Sequence, residues 1–131
     1  MEEKVIVITN RSGAPARVVP LPEAFADLNR FVDSWALATE TARTTRRHTA
    51  GMDAIVEFRD ALLPRVNELV AWLDQYQMDA LPEDAKTAMY LLLSLAEIAP
   101  AVEFYNQPYV IDGYDPFRFA ADETFAMRPA I

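Results

Sequence analysis

The sequence has no cysteine, three glycines, one histidine and, beside ten arginines, only two lysines. Each shortage closes off a class of function. Without thiols there is no disulfide framework, no thiolate nucleophile and no cysteine-ligated zinc, so the chain suits the reducing cytoplasm. Three glycines leave no glycine-rich phosphate loop, and NRSG at residues 10–13 is better suited to a turn than to cradling an anion. The lone His48 cannot supply the paired Glu-x-x-His ligands of carboxylate-bridged bundles. On the outer face of its expected helix, it is predicted at the surface without a nucleophile beside it. DGYD at residues 112–115 has two aspartates but not the ligand ladder of a calcium loop. No metal, cofactor or catalytic residue is therefore expected.

Positive charge is scarce as well. Twelve basic against 20 acidic residues give a net charge of −8, the reverse of the basic face that a phosphate backbone requires, and nucleic acid is not an expected partner. The acids alternate with arginines, which argues against acidic mimicry of nucleic acid. Long apolar runs are missing too. MEEKVIVITN opens on acids and lacks the basic flank and length of a secretory signal. The longest apolar stretch, residues 88–102, carries Ser94, Glu97 and Pro100 and falls short of the ~20 residues a bilayer needs. No membrane partner is expected.

What is present is 131 residues, 52% of them hydrophobic, enough for one core and one domain. The pattern predicts a mainly α fold: a small antiparallel bundle of three long helices plus a short C-terminal helix, preceded by a β-hairpin. The domain then divides into a hairpin arm (1–20), a three-helix core (22–105) and an aromatic tail (106–131). KVIVIT and ARVVP flank the NRSG turn as strands that must lie on the helices or pair with another chain's edge.

The first helix starts at Pro22, with Phe25, Leu28, Phe31, Val32, Trp35, Ala38, Thr39 and Ala42 inward, and it ends in the basic run RTTRRH beside its own C-terminal dipole. Gly51 breaks the chain. A second helix, residues 52–77, turns Met52, Ile55, Val56, Leu62, Leu63, Val66, Leu69, Val70 and Leu73 inward and Pro64 toward water. A third starts at Pro82 with a narrow polar line, Glu83, Lys86, Thr87, Tyr90, Ser94 and Glu97, which is expected to face water while the rest is buried. On that expectation Glu97 is solvated rather than a general base. Asp115 and Pro116 open the short fourth helix.

Arg46 and Arg59 fall on the apolar faces of their helices. In an up-down-up bundle both lie near the end where the third helix finishes, which brings in Glu103. A desolvated guanidinium must find acceptors, so Arg46, Arg59 and Glu103 are expected to cluster. The tail FYNQPYVIDGYDPFRF leaves from that end, and its rings would cover the charges, with Tyr105, Asn106 and Tyr109 offering further hydrogen bonds. Two readings follow. The first is a non-catalytic interaction protein, a homo-oligomer or a small accessory subunit, whose partner is itself or a larger protein. The second is a binding protein or small enzyme for an apolar or aromatic acid, held at Arg46, Arg59, Glu103, Tyr105, Asn106 and Tyr109.

Overall fold

The computed structural model describes residues 18–108 together with residues 117, 121 and 123, with Phe104 described in its backbone alone. The expected hairpin, except for residues 18–20, lies outside the described residues, as do Tyr109 and the Asp115–Pro116 start of the short fourth helix. Among the described residues every regular element is helical. A 3₁₀ run, Glu23–Phe31, leads into α1 (Val32–Trp35), followed by α2 (Glu40–Thr49) and α3 (Met52–Leu62). A 3₁₀ turn (Leu63–Arg65) joins α3 to α4 (Val66–Leu73), another covers Met78–Ala80, and α5 (Glu83–Pro100) runs into a π turn (Ala101–Tyr105).

The first expected helix is two runs rather than one. α1 stops at Ala36 (ψ 73°), and Thr39, extended at φ −119° and ψ 154°, accepts the Ala42 N–H at 3.1 Å to cap a new helix. A threonine hydroxyl offers the backbone an alternative to continuing the helix. The interruption changes the phase of everything after it. Phe25, Leu28, Phe31, Val32 and Trp35 are buried as the periodicity requires, whereas Ala38 and Thr39 are exposed. The return from α2 to α3 takes only Ala50 and Gly51, and Gly51 sits at φ +88°, where a side chain would be strained.

The second expected helix bends at Pro64, which is exposed as foreseen. Its buried line is Ile55, Phe58, Leu62, Leu69 and Leu73. This is narrower than its apolar line: Leu63 and Val70, expected inside, are 50% and 42% exposed. Phe58 takes the inward position beside Arg59. Its ring lies against Trp35, stacked at 4.6 Å, and meets Phe31 edge-on at 5.5 Å, forming the aromatic centre of the core.

α5 is the element the others surround; it packs on α1, α2, α3 and α4. Its buried side chains include Ala85, Ala88, Leu91 and Ile98, together with two members of the line expected to face water, Thr87 (0% exposed) and Ser94 (1%). Both hydroxyls find carbonyls that regular structure leaves over. Thr87 Oγ1 donates to Val19 O at 2.7 Å in the irregular entry segment, and Ser94 Oγ donates to Trp35 O at 2.6 Å where α1 ends. From Thr87 onward the polar line is thus an inward seam, while Glu83 and Lys86 at its start stay in water as expected.

Candidate functional site

Three features remain after the core is accounted for: the arginine end of the bundle, a carboxylate cluster between α2 and α5, and the outward face of α5. At the first, Arg59 donates from Nη2 to Glu103 at 2.8 Å and from Nη1 to Asp60 at 2.8 Å. Asp60 first and Glu103 second hold its pKa above the ordinary arginine value. The side chain is 30% exposed, so this is a rim pair rather than a buried staple. Arg46 does not join it. Its guanidinium lies 5.0 Å from the Trp35 ring centroid, and no carboxylate pairs with it among the described residues. Tyr105 is half-buried on the π turn. Asn106 is exposed and adopts the left-handed conformation (φ 52°) that ends the helix, its N–H returning to Ala101 O. Two of the three expected charges meet, and Asn106 serves the backbone.

The buried arginine is Arg47, one position from the one expected. Restarting the helix at Thr39 rotates α2 so that Arg47, 8% exposed, turns inward. Its Nε donates to Pro108 O at 2.9 Å and its Nη1 to Glu97 O at 3.0 Å, with the Glu97 carboxylate at 3.5 Å. Glu97, expected in water, has a side chain only 16% exposed. Thr44 Oγ1 lies 3.0 Å from Glu40 Oε2 and 3.3 Å from Glu97 Oε2, and Arg43 stands 3.7 Å from Glu40. Burial above all, then the neighbouring Glu40, pushes Glu97 up to about 7, against the opposing pull of Arg47 and Thr44. Glu97 is therefore partly protonated near neutrality, which joins α2 to α5 with less charge to desolvate.

A cleft of about 440 Å³ lies further toward the start of α5 between Val18, Val32, Leu37, Thr39, Lys86 and Tyr90, and Glu97 does not line it. His48, expected at the surface, is half-buried: Nδ1 donates to Thr44 O at 2.7 Å, and the ring meets Phe117 edge-on at 5.7 Å. Among the described residues no group of His, Asp and Glu could hold a metal ion.

The third feature was hidden by the inverted stripe. With Thr87, Leu91, Ser94 and Ile98 inward, the side of α5 that faces water carries Lys86, Met89, Leu93, Ala96 and Pro100, spaced three, four, three, four. Ala96 is exposed, Met89, Leu93 and Pro100 are half-buried, and Lys86 supplies the single charge. Leu63 and Val70, on the segment that follows α3, are further large apolar side chains left exposed. The spacing was visible in the sequence, but the assumption that a polar line must seek water concealed it. The chain matches no family model, no curated protein sequence and no solved structure.

Proposed function

We propose that this chain is a non-catalytic interaction protein that works in the cytoplasm and meets another protein surface through the outward face of α5. The observation that carries the reading is the inversion of α5: Thr87, Ser94 and Glu97 turn inward, while Ala96 is exposed and Met89 and Leu93 are only half-buried. Apolar side chains only partly covered on α5, together with exposed Leu63, Val70 and Met78, supply the kind of surface that interaction sites use. The carboxylate cluster supports the same reading, because its members are engaged in joining α2 to α5 and to the root of the tail at Pro108.

The test is native mass spectrometry of the chain isolated gently from its own cells, wild type beside Leu93→Glu. A complex above the chain's own mass that the variant loses supports the reading; a bare chain in both preparations removes it. The second reading, a small apolar acid at the arginine end, draws on Arg46 Nε and Arg59 Nε, buried N–H groups without an acceptor among the described residues. It requires that phenylacetate raise the thermal midpoint of the wild type and not of Arg46→Leu.

A further inference from the structure

We infer that Glu123 and Phe117 form a releasable latch on α2, in which the Glu123 carboxylate holds the first turn at Thr41 and keeps the Phe117 ring against His48. The inference stands apart from the interaction reading above. Pro108 O accepts Arg47 Nε at 2.9 Å, the Phe117 ring meets His48 edge-on at 5.7 Å, and Glu123 Oε2 accepts both the Thr41 N–H, at 2.9 Å, and the Thr41 hydroxyl. Arg47 and His48 lie in the last turn of α2 and Thr41 in its first, so from Phe117 to Glu123 the contacts run opposite to the helix. About 10 Å of helical rise separates His48 from Thr41, well within reach of the chain between Phe117 and Glu123.

The contacts are held unequally. Arg47 is 8% exposed and Pro108 half-buried, whereas Thr41 and Glu123 are exposed and Phe117 keeps 53% of its surface. Exposed contacts open at lower free energy than buried ones, so release begins at Glu123 and leaves the Arg47–Pro108 bond in place. The helix does not rely on Glu123 for its start. Thr39 already receives the Ala42 N–H at its hydroxyl and the Arg43 N–H at its carbonyl, so the distant carboxylate adds one further donor, Thr41, beside the positive end of the dipole. This second, long-range cap can therefore leave while α2 stays folded. What its leaving changes is His48, the single histidine of the sequence. Thr44 O takes the Nδ1–H at 2.7 Å, which places the ring's lone pair on Nε2. Closed, the latch sets Phe117 against that imidazole; open, it presents imidazole and phenyl ring to water together.

His48 also supplies the readout, because diethyl pyrocarbonate acylates a neutral imidazole nitrogen and the chain offers it one histidine. Applied to the full chain at neutral pH, the reagent should modify His48 in Glu123→Ala and in Thr41→Val about three to ten times faster than in the wild type, the range that follows from losing an exposed hydrogen bond to a charged group. Far-ultraviolet circular dichroism should not change in either variant.

The absence of cysteine allows the converse test. Thr41→Cys combined with Glu123→Cys should close an intramolecular disulfide under mild oxidation, slow the His48 reaction below the wild-type rate and lose that protection on reduction. Asp53→Cys combined with Glu123→Cys, its first site on α3 beyond the far end of α2, should close far more slowly. An unchanged His48 rate in both Glu123→Ala and Thr41→Val leaves Glu123 a helix cap only and overturns the latch. Equal disulfide rates in the two double variants overturn it as well, and so does a closed disulfide between positions 41 and 123 that leaves His48 reacting at the wild-type rate.

Discussion

Ser94 Oγ on α5 donates to the backbone oxygen of Trp35 across 2.6 Å, where the two residues keep 1% and 2% of their surface. Trp35 ends α1, and its carbonyl also accepts the Leu37 N–H at 2.9 Å, so one oxygen closes a helix twice, locally and from the centre of the bundle. Ser94→Ala should therefore cost about 1 kcal/mol, the usual net value of one hydrogen bond, while Ser94→Leu should cost about 1–3 kcal/mol by overpacking. Urea unfolding curves separate the two; equal midpoints for both variants and the wild type would mean that the bond contributes nothing.

Glu97 makes stability depend on pH in an unusual direction for a carboxylate. Held at about 7 against an ordinary 4.5, chiefly by burial and next by Glu40, it binds its proton more tightly folded than unfolded. That contribution is complete below about pH 4.5 and disappears as pH rises through about 7. The urea midpoint should consequently fall between pH 5 and pH 7.5, and Glu97→Gln, which keeps the shape without the titration, should flatten that interval. An unchanged slope in Glu97→Gln would place the titration elsewhere.

Phe58 stacks on Trp35 and meets Phe31 with no exposed surface. Phe58→Ala should cost about 3–5 kcal/mol, a large part of the ~5–15 kcal/mol that holds a domain together. Near-ultraviolet circular dichroism should lose its aromatic signal in this variant before far-ultraviolet helicity declines; full retention of both would show that the stack carries little.

Arg65 gathers Asp27 (2.6 and 2.7 Å), Glu68 (2.5 Å) and the Ala24 carbonyl (2.9 Å) while lying 5.2 Å above the Phe25 ring. Its hydrogen bond lowers the Asp27 pKa. A lowered acid stabilises the fold above its ordinary value of 3.8 and loses that contribution as pH falls below it. Asp27→Asn should remove part of the acid limb of the stability profile. Arg65→Ala should remove the same part and also lower the midpoint at neutral pH, because the stem no longer covers Phe25. Guanidinium melts at pH 3 and pH 7 decide this.

Much of the helical frame was legible because it rests on local rules. Pro22 and Pro82 precede helical starts, Gly51 occupies the positive-φ corner, and Pro64 turns its ring to water, each fixed by the chemistry of one residue. The site was less legible because it depends on phase. A four-residue interruption at Ala36–Thr39 exchanged Arg46 for Arg47, and periodicity counted through the break could not register the change. Thr87 and Ser94 misled for another reason: a hydroxyl is polar toward water but equally able to satisfy a carbonyl left over at a helix end. The Arg59–Glu103 pair was foreseeable since it needed only the antiparallel path; its exposure was not.

The central place of α5 also shapes how the chain is made. α1, α2, α3 and α4 all pack on a helix that leaves the ribosome after them. Until residues 83–100 emerge, Phe58 can meet Trp35 and Phe31 but the core positions that Ala88, Leu91 and Ile98 fill stay open, an interval of roughly one to four seconds at ~5–20 residues per second. The nascent chain thus carries an incomplete core until its central helix arrives.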